Sequence, residues 1–339
     1  MKQSLPPGKI PGALLSDLLA RYPITDSRVL IGPGTGHDSA AISFGNTALV
    51  IKTDPITFIT DQPAHHLIHV NANDIACQGA TPKWLLVTVL LPAGLVDAEA
   101  AKDLFEQLQV VAQSVGVSIV GGHTEITNGL DRPLLIGTML GEVEIARLVR
   151  PSDAKPGDRI LMTRSAGIEG TAILGMEAES KGVSPEIAAR ARAFIHSPGI
   201  SVLAAARSLH AAGAVSAMHD PTEGGIATAI REMAIAAGTG VMIARDAIPV
   251  APETAAIATA FQIDPLGLIS SGALLATVPP DRMGSAEEAL QQAEIPFAWI
   301  GKLTEATSGM TLREGTNLHP LPEFIVDELA RVLAGEQNA

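Results

Sequence analysis

Along this chain, segments with the apolar pattern of a β-strand alternate with segments that have the apolar pattern of an α-helix. Nearly continuous apolar segments predict buried strands over residues 84–91 and 134–143. Between them, apolar positions spaced three to four residues apart predict an amphipathic helix over residues 97–115. That helix should begin after Asp97, a good N-cap, and end before Gly116.

Three further elements are predicted in the first half of the chain. Two short apolar segments flank Gly45-Asn46, which is a strong signal for the turn of a β-hairpin. A longer apolar stretch predicts a helix over residues 61–79. A short strand is expected over residues 118–120, ending at Gly121-Gly122.

A domain boundary is expected near the middle of the chain. Residues 150–158 concentrate proline, glycine and charge, which is typical of a linker. We therefore predict one domain over residues 1–149 and a second over residues 150–339. Strands and helices alternate in both halves, which predicts two α/β domains. In the second half the pattern predicts elements at 159–163, 184–194, 214–219, 224–237, 240–244, 283–293 and 321–333.

The most informative polar positions lie in the segment VNANDIACQGATP, residues 70–82. Asn71, Asn73 and Asp74 fall within an otherwise apolar helix, where buried polar groups need partners or water. A carboxylate and two amides in one helical turn suit a hydrated cation that holds phosphates. Other acids stand where apolar segments meet glycine, proline or small polar residues, namely Asp38, Asp54, Glu125 and Asp220. Together these acids predict a metal-dependent nucleotide site.

Charge and composition exclude several classes of partner. The 339 residues include 23 basic and 36 acidic side chains, a net charge of -13, which argues against binding to nucleic acid or an anionic membrane. Cys77 is the one cysteine, so an internal disulfide and a cysteine-based zinc site are excluded. We recognise neither a signal peptide nor a membrane span, and we expect a cytoplasmic protein.

Several polar residues have both a functional and a purely structural interpretation. The loop with glycines at 32, 34 and 36 lacks the G-x-G-x-x-G pattern, and the chain has no P-loop, so a plain turn remains open. Asp54 could cap a turn before Pro55, and Asp220 could be a helix N-cap. Phosphate contacts and ordinary surface roles are equally open for Lys9, His123 and Arg164.

The histidines and the cysteine favour structural roles. His65 and His69 share one helical face, as zinc ligands do, but they form no H-E-x-x-H motif and have no evident third ligand. A structural or interface role is favoured for them. Cys77, among small apolar residues, is expected to be a buried and inert thiol.

Seven segments together resemble the family of aminoimidazole ribonucleotide synthetases and their relatives, the PurM-like superfamily. They occur in the family's order across nearly the whole chain: GHDSAAI, KTDP, VNANDIACQGATP, GGHTE, AKPGD, DPTEGG and DPLGLISSG. Asn73-Asp74 followed by Gly79-Ala80 is the most specific match. The superfamily includes the hydrogenase maturation protein HypE, selenophosphate synthetase and thiamine monophosphate kinase. HypE and its paralogues look nearest, through DPTEGG and DPLGLISSG.

The resemblance implies a fold and a set of site residues. It implies an N-terminal domain that gives strands to a β-barrel shared with a second subunit, a C-terminal α/β domain, and a homodimer that binds Mg-ATP. Asp38 and Asp74 would be catalytic. Magnesium ligands by this resemblance would be Asp38, Asp54, Asp74 and Glu125. The nucleotide would contact Lys9, Gly36, Asp54, Asn73, Gly121, Gly122, His123 and Asp220.

The resemblance implies phosphate transfer from ATP to an amide- or carbonyl-type oxygen, and it suggests hydrogenase maturation as the setting. HypE carries its carbamoyl group on a C-terminal cysteine, whereas this sequence closes on Gly335 to Ala339 without one. We therefore expect that the cysteine reaction of HypE does not occur in cis. Two alternatives remain open, a small-molecule kinase resembling thiamine monophosphate kinase and an ATP-binding maturation scaffold that depends on a partner protein.

Overall fold

The structure is a computed structural model that describes residue 10 and residues 12–21, 23–57 and 60–335. These residues form two compact units. The N-terminal unit contains residues 24–32 and 38–148, and the C-terminal unit contains residues 149–335, residues 33–37 and the described residues up to 23. The predicted domain boundary places residues 33–37 and the described residues up to 23 in the first domain, 1–149. Packing instead groups both segments with the C-terminal unit.

The N-terminal unit is a six-stranded sheet covered by helices. The strand order is β1-β2-β3-β6-β4-β5. Only β4 and β5 pair in parallel, and the other neighbours are antiparallel. Its strands are β1 (Val29–Ile31), β2 (Ala40–Phe44), β3 (Thr47–Ile56), β4 (Thr81–Pro92), β5 (Ser118–Thr127) and β6 (Leu134–Glu144). Its helices are α2 (Pro63–Cys77) and α3 (Ala98–Ser114).

Helix α2 packs against the sheet where glycines of β6 leave room for its side chains. A Cβ added at Gly141 would lie 2.3 Å from Ile75 Cγ2, and one at Gly137 would lie 3.0 Å from Asn71 Nδ2. Leu67 and Ile75 are fully buried at this contact. Burying each such side chain contributes roughly 1.5–3 kcal/mol, so the polar residues of α2 are carried into the interior by its apolar neighbours.

The C-terminal unit contains a seven-stranded sheet and most of the helices. The strand order is β13-β12-β9-β11-β7-β10-β8. Its strands are β7 (Arg159–Thr163), β8 (Ala217–His219), β9 (Gly240–Ala244), β10 (Leu275–Val278), β11 (Phe297–Thr304), β12 (Met310–Glu314) and β13 (Asn317–Pro320). Its helices are α1 (Gly12–Leu19), α4 (Ile168–Leu174), α5 (Pro185–Ala193), α6 (Leu203–Ala211), α7 (Gly225–Ala237), α8 (Pro252–Phe261), α9 (Met283–Gln292) and α10 (Glu328–Leu333).

The local predictions are mostly confirmed. The hairpin turns at Gly45-Asn46, and α3 begins after Asp97, whose side chain accepts hydrogen bonds from the N–H groups of Glu99 and Ala100. The expectation that β5 ends at Gly121-Gly122 is wrong, because pairing with β4 carries the strand on to Thr127. The helix predicted over residues 321–333 is limited to α10.

Among the described residues, no helix is both long enough and apolar enough to cross a membrane.

Candidate functional site

Strand β3 carries two charged side chains on its buried face. Ala48 and Val50 are fully buried, and strand alternation places Lys52 and Asp54 on the same face. This is the face on which α2 packs. The buried face of β3 therefore carries a lysine and an aspartate beneath a helix, between apolar residues.

Helix α2 supplies the third charged group. Asp74 is almost fully buried, and its Oδ2 lies 3.0 Å from Lys52 Nζ. Asp54 Oδ2 lies 3.2 Å from the same nitrogen, so one ammonium joins carboxylates from two elements. Asp38, just before β2, adds a further negative charge that acts on Lys52. These four residues form what we call the Lys52 cluster.

The electrostatics of the Lys52 cluster keep the lysine charged. Burial by itself would lower the pKa of Lys52, since desolvation penalises the ammonium form. The charges of Asp74, Asp54 and Asp38, in that order, outweigh this effect and hold the pKa well above its ordinary value. The Lys52 cluster thus has three acidic groups and one permanent cation.

Asn71 ties the two carboxylate-bearing elements together. Its Oδ1 accepts a hydrogen bond of 3.1 Å from the backbone N–H of Asp54. Its Nδ2 donates to the carbonyl oxygen of Leu67 at 2.8 Å, one turn earlier on α2. Asn71 is fully buried, so the loss of either partner would leave an unsatisfied polar group. Its side chain fixes Asp54 relative to the helix that carries Asp74.

The Lys52 cluster has the donors that a divalent cation requires. Carboxylate oxygens are the hard ligands that Mg²⁺ prefers, usually one or two of them together with water and substrate phosphates. Asp54 Oδ2 and Asp74 Oδ2 already converge on a single positive charge. The residues therefore fit a magnesium ion that is shared with a nucleotide.

Other predicted site residues of the N-terminal unit lie elsewhere. Asn73 is fully buried on α2 beside Asp74. Glu125 is on β5, three strands across the sheet from β3, roughly 14 Å away at a strand spacing of about 4.8 Å. It is paired instead with His123, at 3.1 Å. Within one chain the structure does not bring Glu125 to the Lys52 cluster, and its role as a metal ligand stays a prediction.

The glycines of β5 have a structural reason. A Cβ at Gly122, whose φ is +148°, would lie 1.9 Å from the carbonyl oxygen of Val87 in β4. An added Cβ at Gly121 meets nothing within 4 Å. The backbone at Gly122 therefore approaches the neighbouring strand β4 too closely for any side chain. Nucleotide contact by Gly121 and Gly122 stays a prediction.

The remaining predicted residues belong to the C-terminal unit. Asp220 is buried just after β8, but the N-cap of α7 is Gly224, so the interpretation of Asp220 as that helix's N-cap is wrong. Gly36 packs on α7, where an added Cβ would lie 2.3 Å from the carbonyl oxygen of Glu232. Arg164 Nη1 donates to three carbonyl oxygens, those of Gly199, Ser201 and Gly272. Lys9 lies outside the described residues.

Asp327 connects the C-terminal helix to the loop that precedes α7. Its Oδ2 accepts a hydrogen bond of 2.6 Å from Gly224 N, and its Oδ1 accepts one from Leu329 N as the N-cap of α10. Burial raises the pKa of the Asp327 carboxyl to about 7, against the opposing effect of these N–H groups. The hydrogen bond between Asp327 and Gly224 therefore joins two residues that are 103 positions apart in the sequence.

Sequence reasoning missed Lys52, the structural role of Asn71, and Asp327. The segment KTDP was recognised, but a lysine beside an aspartate looks the same in sequence whether it is solvated or buried. Strand alternation from Ala48 and Val50 was the available signal, since it puts Lys52 on the buried face. For Asp327, the only signal in the sequence is that aspartate is a common N-cap residue.

Two family models match the chain. The model for the N-terminal domain of AIR synthase related proteins matches residues 36–143, and the model for their C-terminal domain matches residues 155–312. The two matches together cover most of the sequence. The chain belongs to the AIR synthase related family. The first match contains the whole Lys52 cluster.

Some relatives of this chain have names that refer to hydrogenase formation. A putative hydrogenase expression/formation protein of Methanocaldococcus jannaschii is 26% identical over 343 residues, which cover 96% of this chain and 97% of the relative. The carbamoyl dehydratase HypE of Rhizobium leguminosarum bv. viciae is 30% identical over 255 residues, covering 73% and 70%.

Solved structures show the same fold. A HypE–HypF complex matches with a TM-score of 0.75 and 21% identity, covering 92% of this chain and all of that one. HypE in complex with ATP has a TM-score of 0.70 at 21% identity, covering 96% and 97%. Thiamine monophosphate kinase from Aquifex aeolicus has a TM-score of 0.66 at 18% identity, covering 84% and 92%. The predicted two-domain PurM-like fold is confirmed.

Proposed function

We propose that this family member is a Mg-ATP-dependent enzyme that transfers phosphate to an amide- or carbonyl-type oxygen. The observation that carries the proposal is the Lys52 cluster, in which Asp54 and Asp74 converge within 3.2 Å of one cation. The likeness to a HypE structure that contains ATP supports nucleotide as the substrate.

Each residue of the Lys52 cluster has a defined task in this proposal. Asp38, Asp54 and Asp74 hold the metal, and Asn71 keeps Asp54 in place through its backbone N–H. Lys52 provides a fixed positive charge where phosphate charge must be neutralised. Bound magnesium supplies the remaining charge neutralisation of the phosphates. Phosphorylation of the acceptor oxygen makes that oxygen a good leaving group.

We further propose that the reaction takes place during hydrogenase metallocentre maturation and involves a partner protein. The relatives are a hydrogenase expression/formation protein and a carbamoyl dehydratase HypE, and one similar structure is a HypE–HypF complex. A protein-borne carbamoyl group is then the acceptor that fits this reaction class. Cys77 is fully buried at the end of α2, and we do not assign it a role as a carrier.

The first experiment measures ADP release by the purified protein with Mg-ATP, alone and with candidate acceptors. Asp74→Asn keeps the shape of the side chain and removes a metal-holding charge, so ADP release should fall by roughly 100-fold or more. The matched control is Asp103→Asn, an exposed aspartate on α3 of the same unit, which should keep wild-type activity. Circular dichroism must show that both variants are folded.

The result separates the proposed enzyme from the other candidates. Full activity of Asp74→Asn would contradict the site assignment. ATP binding with no ADP release until a partner protein is added would favour the maturation scaffold. A stable phosphorylated metabolite would favour a small-molecule kinase, for which the likeness to thiamine monophosphate kinase is the supporting observation.

We also propose a homodimer formed through the N-terminal unit. Strand β5 is at one edge of the sheet, and nearly all of its residues are exposed. Val120 and Ile126 on this strand are exposed by 56% and 69%. A long edge strand with exposed apolar side chains is a template for pairing with another chain. A second copy is the partner that the family's shared β-barrel provides.

A further inference from the structure

One carboxylate oxygen of Asp54 and one of Asp74 are already in contact with the lysine of the Lys52 cluster. Lys52 Nζ lies 3.0 Å from Asp74 Oδ2 and 3.2 Å from Asp54 Oδ2. A magnesium ion binds carboxylate oxygens at about 2.0–2.1 Å. An ammonium and a magnesium ion cannot both contact the same two oxygens without strong repulsion. A metal ion that binds these two oxygens therefore displaces the lysine from them.

The net charge of the Lys52 cluster determines when a metal ion can favourably replace the lysine at these oxygens. Asp38, Asp54 and Asp74 contribute three negative charges and Lys52 one positive charge, which leaves two negative charges. Only 18% of the Lys52 side chain is exposed, so a displaced ammonium needs another anionic partner nearby. The phosphates of a nucleotide would provide that partner.

We propose that Lys52 is a resident counter-cation that makes divalent-metal binding at Asp54 and Asp74 depend on bound nucleotide. Without nucleotide, the ammonium pairs with both carboxylates and excludes the metal from the oxygens it contacts. With nucleotide, Lys52 contacts a phosphate oxygen, and the carboxylates take the metal. This inference rests on the proposed use of Mg-ATP and assigns to Lys52 the coupling between its two components.

The experiment measures Mn²⁺ affinity by electron paramagnetic resonance on the full chain, with and without a non-hydrolysable ATP analogue. The variants are Lys52→Met and Lys52→Gln. Glutamine can still donate a hydrogen bond to Asp74, which keeps the buried contact if methionine disturbs folding. Lys83→Gln is the matched control, because Lys83 pairs with Glu142 at 3.0 Å on the surface of the same sheet.

We expect both Lys52 variants to bind Mn²⁺ about tenfold or more tightly than wild type when nucleotide is absent, since a nearby positive charge has been removed. Lys83→Gln should match wild type. In wild type, the analogue should increase Mn²⁺ affinity at the protein, and in the Lys52 variants this increase should be largely lost. Thermal unfolding monitored by circular dichroism identifies the variants that are folded.

Equal or weaker Mn²⁺ binding by a folded Lys52 variant, without nucleotide, would overturn the inference. The same conclusion would follow if wild type bound Mn²⁺ equally well with and without the analogue. Because this measurement needs no turnover, it is independent of the reaction itself. A protein with no ADP release but with tighter Mn²⁺ binding in the Lys52 variants would refute the proposed reaction and support the counter-cation.

Discussion

Two buried ionisable residues, Lys52 and Asp327, are stabilised by different kinds of partner. Lys52 is surrounded by carboxylates, whose charges outweigh the cost of burial. Asp327 receives backbone N–H groups from Gly224 and Leu329, and the charge of Glu223 adds to the effect of its burial. The lysine therefore stays charged, whereas the aspartate takes up a proton near neutral pH.

Asp327 makes a specific contribution to the pH dependence of stability. Its pKa rises from 3.8 in the unfolded chain to about 7 in the folded protein. Between these values the folded state holds a proton that the unfolded state has lost, so the free energy of unfolding falls as pH rises. The stabilisation that comes from the proton on Asp327 is fully present below about pH 4 and is lost as the pH rises through about 7.

Asp327→Asn should remove this pH dependence, because asparagine resembles the protonated acid. The unfolding free energy of the variant minus that of wild type should increase by about 2–4 kcal/mol as the pH is raised from 4.5 to 8. Urea unfolding of both proteins across this range measures the difference. A difference that stays constant with pH would show that the folded carboxyl titrates normally.

The pairing of β4 with β5 determines the edge of the N-terminal sheet. The register pairs Val87 with Gly122, and the contact leaves no space for a side chain. The neighbouring Gly121 faces open space, which makes the two glycines a natural test pair. The pairing of β5 with β4 therefore requires a glycine at position 122 but not at position 121.

Gly122→Ala should destabilise the protein by more than about 2 kcal/mol, because its Cβ would collide with the carbonyl oxygen of Val87 and its φ of +148° is strained for alanine. Gly121→Ala should cost less than about 1 kcal/mol. Thermal or urea unfolding of the two variants provides the comparison. Similar losses of stability in both would contradict the observed register.

The sequence predicted those elements whose signals are local. The turn at Gly45-Asn46 and the cap at Asp97 need only neighbouring residues, and both are confirmed. The full length of β5 was missed because glycines weaken a strand locally, whereas pairing with β4 requires Gly122. Asp54 and Asp74 were predicted as neighbours from their polar setting, but the burial of Lys52 arises only when α2 covers the sheet.

The two units also differ in what their edges present. In the N-terminal unit, β5 exposes apolar side chains along an edge strand. One edge of the C-terminal sheet is β13, part of a short hairpin with β12 that the sequence pattern did not predict. The proposed homodimer uses the longer of these two edge strands.

Ile126→Glu should convert the proposed dimer to a monomer, since it places a charge on the edge strand that a second copy would cover. Light scattering coupled to gel filtration measures the mass at several protein concentrations. Met176→Glu is the control, because Met176 is equally exposed, at 67%, in the other unit. A monomeric wild type, or a dimeric Ile126→Glu, would contradict the proposed interface.

The contact between Asp327 and Gly224 has a consequence for the order of events during synthesis. The segment 38–148 leaves the ribosome long before residue 327, so its sheet can form while the chain is still growing. The C-terminal unit gains several long-range contacts only when Asp327 and Glu328 arrive, 103 and 64 residues after their partners. Neighbouring nascent chains on one messenger could thus associate through β5 before either is complete.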